Sequence, residues 1–309
     1  MLRSIQDSTY ENDFGVKSVD DSTLFNSKSN ITKRTSISTS SSFPLKDGTN
    51  HFRMIVCGDS GKNACINETQ KESNLYFIGI GKSALVHALT TLQASHSVCS
   101  LEPIEHFVPF TNICVVDTCG YGASMRPEVI FSNTKKYLEK QFEKTNGLFH
   151  PSCRDDQRLI YMLEKAPAIL THVDVCLYLI TGRLKPVDIE YMRYIHELVN
   201  IIPVMIQPDL SVRMDQMLDQ RLDIIHVLIQ NQIRFCTFGY TQDEIIVHCK
   251  QASTCSMPFV LNWSSAKPSF HGLTYLKQAL FDTYLNPLRK QTTQRFLQWR
   301  QQQVSYVSN

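Results

Sequence analysis

The sequence predicts an α/β fold of three layers, a mostly parallel central sheet with helices on both faces. Three observations carry that prediction. Short apolar runs alternate with amphipathic stretches from residue 52 onward, the pattern of strands joined by crossover helices. The first run, Phe52-Arg53-Met54-Ile55-Val56-Cys57, enters the glycine turn Gly58-Asp59-Ser60-Gly61. Further on, Ile80-Gly81-Lys82-Ser83-Ala84 opens a helical stretch that continues Leu85-Val86-His87-Ala88-Leu89.

With residues 62–79 omitted, these pieces read strand, Gly-Asp-Ser-Gly-Ile-Gly-Lys-Ser, helix. That is G-x-x-x-x-G-K-S, the phosphate-binding P-loop. Its glycines let successive backbone N–H groups form an anion nest, and the helix presents its positive end to the same phosphates. Lys82 would reach the β- and γ-phosphates, and the Ser83 hydroxyl would ligate Mg²⁺. The intervening segment exceeds the motif's spacing by 18 residues. Two accounts fit. Residues 62–79 are an insertion that loops out while Gly61 and Ile80 still meet, since closing such a loop costs only roughly 2–3 kcal/mol. Alternatively they are a retained intron: codons for Gly61-Lys62-Asn63 can hold a donor-like GTAAG, those for Phe77-Ile78-Gly79 an acceptor-like ATAG.

Composition narrows the class. The 309 residues are 42% hydrophobic and 19% charged, with a net charge of +2. That is a globular balance, and it gives no argument for a nucleic-acid partner. The ten cysteines show no C-x-x-C pair, so they read as reduced cytosolic thiols rather than a disulfide frame or a zinc site. The start is polar from Ser4 onward and the longest apolar run, Val173–Ile180, is too short to span a bilayer. Cytoplasm is the expected location.

Residues 1–50 are serine- and threonine-rich and are expected to be a disordered tail. Its basic residues, Lys17, Lys28, Lys33, Arg34 and Lys46, are scattered; a solvated tail is the plainer reading and a membrane-surface patch the lesser one. Phe52–Cys57 is a predicted strand and Ser83–Leu92 a helix. Asn112–Val116 is a buried strand ending at Asp117, and no switch strand stands out before it. Pro127–Lys144 is helical, Val173–Ile180 a central strand, and Pro186–Val199 a helix opened by proline. Ile201–Ile206 is a strand, and Ser211 caps a helix running to Asn231. Ile233–Phe238 and Pro258–Leu261 are short strands, and Gly272–Leu285 is a helix. Leu288–Gln302 forms a last helix whose Leu288, Phe296 and Trp299 could dock on a partner. The organisation is then a tail (1–50), an α/β domain (51–286) carrying the 62–79 insertion, and a C-terminal helix with its tail (287–309).

Three further signals stand where a P-loop GTPase needs them. Val115-Val116-Asp117-Thr118-Cys119-Gly120 follows a strand, so Asp117 would hold Mg²⁺ through water and the Gly120 N–H would touch the γ-phosphate. Ile206-Gln207-Pro208-Asp209 ends a later strand, where Asp209 could read guanine N1 and N2. Phe259-Val260-Leu261-Asn262-Trp263-Ser264-Ser265 ends the next, the place for a backbone contact to the guanine oxygen from Trp263 and Ser264.

At these residues the chain resembles the septin family of GTP-binding, filament-forming proteins. The resemblance is carried by Val116-Asp117-Thr118-Cys119-Gly120-Tyr121-Gly122, Leu184-Lys185-Pro186-Val187-Asp188-Ile189-Glu190-Tyr191-Met192 and Val199-Asn200-Ile201-Ile202-Pro203-Val204-Met205. Septins read D-T-P-G-Y-G, L-K-P-L-D-I-x-x-M and V-N-I-[IV]-P-V-I there. It implies a G domain over about residues 50–300, GTP or GDP with Mg²⁺ as ligands, septin-like subunits as partners and a cytoskeletal role in cell division. The departures imply more. Cys119 replaces a proline. Ile206-Gln207-Pro208-Asp209 replaces A-K-[AS]-D, so the lysine stem over the base is lost and guanine selectivity is weakened. Thr111, the best-placed γ-phosphate sensor, lies close to the next strand. Ile180-Thr181-Gly182-Arg183 lacks the histidine that septins place across their dimer interface. The expectation is a slow or inactive GTPase. The alternative is a pseudo-GTPase, a structural subunit that binds no nucleotide; a P-loop ATPase or kinase is a third reading.

Overall fold

A strand buried on both faces must be apolar along its whole length, and the central runs here meet that demand. All seven residues of β1 (Phe52–Gly58) are buried, as are all seven of β5 (Ile201–Gln207). The computed structural model describes residues 51–59, 81–90, 100–109, 111–150, 153, 155–165, 170–207, 214–250, 257–264 and 269–307. The expected disordered tail and the 62–79 insertion lie outside them.

Among the described residues seven strands form one sheet in the order β2-β3-β1-β4-β5-β6-β7. β1 pairs in parallel with β3 (Ile113–Asp117) on one side and β4 (Val175–Thr181) on the other. β4, β5 and β6 (Phe259–Ser264) continue in parallel. Only the edges run antiparallel, β2 (Ile104–Phe107) on β3 and β7 (Ser269–His271) on β6.

Alternation along each strand sorts residues into two cores. Phe52, Met54 and Val56 face one side with Ile113, Val115, Leu177, Leu179 and Val204. There α1 (Lys82–Thr90) covers them with Leu85, Val86 and Leu89, and α7 (Leu273–Gln278) adds Leu276. Ile55 and Cys57 face the other side with Val116, Tyr178 and Met205. That side is covered by α2 (Pro127–Asn146), α3 (Asp156–Lys165), α4 (Pro186–Ile195), α5 (Met214–Gln230) and α6 (Gln242–Lys250).

Several expectations change. A strand does precede β3: the four residues of β2, missed because Glu105 and His106 interrupt its apolar pattern and it is only partly covered. Glu105 is held by Arg53 and by the Tyr137 hydroxyl, the latter at 2.7 Å. Ile233–Phe238 is not a strand but makes one bridge, Phe235 to Ile201. Gln232 and Phe238 both take positive φ, 55° and 53°, which breaks the extended path at each end. Helices α3 and α6 and strand β7 were not foreseen. Helix α4 stops at Ile195 rather than Val199. The predicted Gly272–Leu285 helix is α7 followed by a π turn at Ala279–Thr283.

The last helix, α8 (Leu285–Val307), is also corrected. Its Leu288, Phe296 and Trp299 do not face a partner; they are buried in the domain's own cores. The reason lies in Asn200, between α4 and β5. Its Nδ2 donates to the carbonyls of Asp174 at 2.8 Å and Leu288 at 3.2 Å, and its Oδ1 accepts from Arg295 Nε at 2.9 Å. Arg295 also donates to the His196 carbonyl. These bonds clamp α8 to the β4–β5 layer.

Candidate functional site

The chain leaves β1 into α1 on one face and leaves β3 into α2 on the other. Divergence of this kind opens a crevice beyond the strands' carboxyl ends, where open α/β sheets bind ligands. Gly58 closes β1 with φ of +131°, and a Cβ there would lie 2.5 Å from the Leu179 carbonyl oxygen. No side chain fits. Gly81, φ +80°, leads into α1, and its carbonyl accepts from the Leu85 N–H at 2.7 Å.

Lys82, the first residue of α1, follows Gly81. Its side chain is buried and its Nζ donates to the carbonyls of Gly58 and Asp59, each at 3.4 Å. The two pieces of the motif, 23 positions apart from Gly58 to Gly81, therefore meet in space. Desolvation lowers the Lys82 pKa, while Asp117 pulls it back up. A buried ammonium with two long carbonyl contacts is poorly compensated, and an anion would complete its surroundings.

Ser83 follows on the same turn, and its Oγ donates to Asp117 Oδ2 at 3.2 Å. Asp117 ends β3, and its other oxygen, Oδ1, is buried without a partner among the described residues. Burial pushes this carboxyl up, with Lys82 and Ser83 opposing. A hydroxyl and a carboxylate with an uncommitted oxygen suit a hard cation such as Mg²⁺. The Thr118 hydroxyl donates to the Val56 carbonyl at 2.7 Å, which ties the loop after β3 to β1. Gly120 is extended and enters a 3₁₀ turn at Tyr121–Ala123. Ala84 sits half-buried in the first turn of α1.

The other predicted residues are less gathered. Ser60, Gly61 and Asp209 lie outside the described residues. Trp263 and Ser264 belong to β6, paired with Phe270 and Ser269 of β7. Thr111 is misplaced for γ-phosphate: it sits in the β2–β3 turn, its Oγ1 donating to the Val108 carbonyl at 2.9 Å. Ile113, two residues on, pairs with Phe52 at the start of β1, so Thr111 is at the opposite end of the sheet.

A model of the septin family matches residues 48–272. The chain belongs to the septin family. It is 30% identical over 150 residues to neuronal-specific septin-3 of Mus musculus, covering 42% of this chain and 40% of that one. It is 31% identical over 163 residues to septin-2 of Rattus norvegicus, covering 51% and 41%. The match thus spans about two-fifths of these relatives' length. Among solved structures, a septin GTPase domain from Chlamydomonas reinhardtii aligns over 82% of this chain and 99% of that one, with a TM-score of 0.51 at 18% identity. That likeness shows the fold.

In this septin the L-K-P-V-D-I run is a brace for the crevice, a role the linear pattern did not reveal. Asp188 Oδ1 accepts from the hydroxyls of Tyr121 at 2.8 Å and Tyr178 at 2.9 Å. Its Oδ2 accepts from the Lys185 N–H at 2.8 Å. Burial pushes Asp188 up, against these three donors. The Lys185 ammonium in turn pairs with Asp59 Oδ2 at 2.6 Å. One carboxylate thereby links the loop after β3, strand β4 and the start of α4, and the neighbouring lysine carries that link to the turn after β1. The signal available beforehand was the co-occurrence of G-Y-G and L-K-P-x-D-I.

Proposed function

We propose that this septin binds GTP or GDP with Mg²⁺ beyond β1 and β3, hydrolyses GTP slowly or not at all, and joins septin-type cytoskeletal assemblies in the cytoplasm. The observation that carries the reading is Lys82 reaching the Gly58 and Asp59 carbonyls across the interruption. Gly58, Asp59, Ser60, Gly61 and Gly81–Ala84 would cradle the phosphates, and Gly120 would reach the terminal one. Ser83 and Asp117 would hold the cation, which supplies charge neutralisation when bound. Asp209 and the backbone of Trp263 and Ser264 would meet the base. Slow or absent hydrolysis is supported by Thr111 being bonded into a turn away from the crevice. The organisation we infer is a tail over 1–50, a G domain over 51–286 and a C-terminal helix over 287–309. Septin-like subunits are the partners.

The pseudo-GTPase reading is favoured by one feature, the 18 extra residues between Gly61 and Ile80. Calorimetry with GTP and GDP, on chains with and without residues 62–79, separates the two. Binding by either form supports the nucleotide reading; silence from both at about 1 mM ligand, weaker than about −4 kcal/mol, leaves only the scaffold. Sequencing the mature transcript decides between insertion and retained intron.

A further inference from the structure

The carboxyl edge of the sheet carries a second polar feature, on the far side of β4 from Lys82. Gln207 is the last residue of β5 and Asn262 stands opposite it in β6 as its direct register partner. Met205 and Val260, two positions earlier on each strand, lie in the same core, so alternation brings Gln207 and Asn262 to the same face. Gln207 is 6% exposed, and its Nε2 is buried without a hydrogen-bond partner among the described residues. Asn262 Oδ1 is likewise buried and, among the described residues, unpartnered. One is a donor and the other an acceptor, side by side, and they do not bond to each other.

Such a pair is completed by a ligand edge that presents an acceptor next to a donor. The pair stands two to three strands from β1, roughly 10–14 Å at strand spacing, which suits a nucleotide whose phosphates lie at Lys82. Adenine offers N7 beside the N6 amino group, the edge that glutamine and asparagine amides read. Guanine offers O6 beside N1–H. We infer that Gln207 and Asn262 form the base-reading edge of this site and that it admits adenine as well as guanine nucleotides. The inference rests on the phosphate reading above, and assigns to two amides a selection that a lysine stem would otherwise make.

The test is calorimetry on the full chain with Mg²⁺ and four probes: GTP, ATP, CTP and inorganic tripolyphosphate. The expected result is GTP and ATP dissociation constants within about tenfold of each other, with CTP at least tenfold weaker than either. Gln207→Lys should widen the GTP-to-ATP ratio by tenfold or more, and Asn262→Leu should weaken both purines while leaving tripolyphosphate unchanged. A wild-type preference for GTP above a hundredfold, with tripolyphosphate bound, overturns the inference and leaves the phosphate reading standing. Failure of all four probes, on the full chain and on the chain without residues 62–79, overturns both. The wild-type ratio needs no variant, so a misfolded substitution does not blunt the test.

Discussion

On the β1–β3 side of the crevice a lysine, a serine and an aspartate converge, each touching another group of the site; on the β5–β6 side two amides stand buried and apart. The first side is assembled from a strand, a turn and a helix start, and its geometry follows from backbone that few side chains could alter. Gly58 illustrates this, since the Leu179 carbonyl forbids any Cβ there. The second side depends on what two strand ends happen to carry, here Gln207 and Asn262. In the proposed reading the phosphates are held by main chain and one cation, whereas the base is met by side chains that substitution can change.

Four substitutions test that contrast. The largest effect is expected from Asp188→Ala, which strands the Tyr121 and Tyr178 hydroxyls and the Lys185 N–H. It should cost about 3 kcal/mol of stability, roughly 6–12 °C in melting temperature for a domain of this size. Differential scanning calorimetry checks it; an unchanged melting point would show that the brace is dispensable. Next, Lys82→Ala should weaken GTP and tripolyphosphate alike by about 2–3 kcal/mol, roughly 30–150-fold, while the purine ratio stays fixed. A shift in that ratio would mean that the two sides are not separable.

A third substitution, His172→Phe, probes the opposite end of the sheet as a control. Burial lowers the His172 pKa to about 3 from 6.5. The unfolded chain therefore binds a proton below 6.5 that the folded one refuses, so stability is lost as pH falls from 6.5 toward 3. Burial raises nearby Asp174 to about 7 from 3.8. The folded chain keeps a proton that the unfolded one releases, so this contribution is lost as pH rises from 3.8 toward 7. The two slopes oppose each other and largely cancel between about pH 4 and 6.5. Removing the imidazole should uncover the Asp174 slope, a relative gain of about 2 kcal/mol at pH 5 over pH 7. Chemical denaturation at both values measures it, with nucleotide affinity expected to hold constant. The smallest effect is Ser83→Ala. It should remove about tenfold, near 1.4 kcal/mol, from the Mg²⁺-dependent part of GTP affinity, seen by titrating with and without EDTA.

Much of this was legible in the sequence, and the reasons differ by region. Strands β1, β4 and β5 were readable because double-sided burial forces unbroken apolar runs such as Val175–Thr181. The edge strands were not: β2 carries Glu105 and His106, and β7 is three residues long. Lys82, Ser83 and Asp117 could be named because their spacing is a local backbone requirement. Asp188 as a hub could not, since its partners are 67 and 10 positions away and no periodicity encodes such distances. The apolar face of α8 was seen, but not what it meets, because the ties to Asn200 join residues remote along the chain.

Those ties have a consequence for how the protein is made. Asn200 waits for the Leu288 carbonyl, 88 positions later, before its polar atoms are satisfied between α4 and β5. A ribosome that has delivered the whole sheet has therefore not yet delivered a finished core. Released chains truncated just before Leu285 are expected to remain open to protease, and released chains ending beyond Trp299 to resist it; pulse proteolysis of a truncation series would register the change as a step rather than a gradual closing.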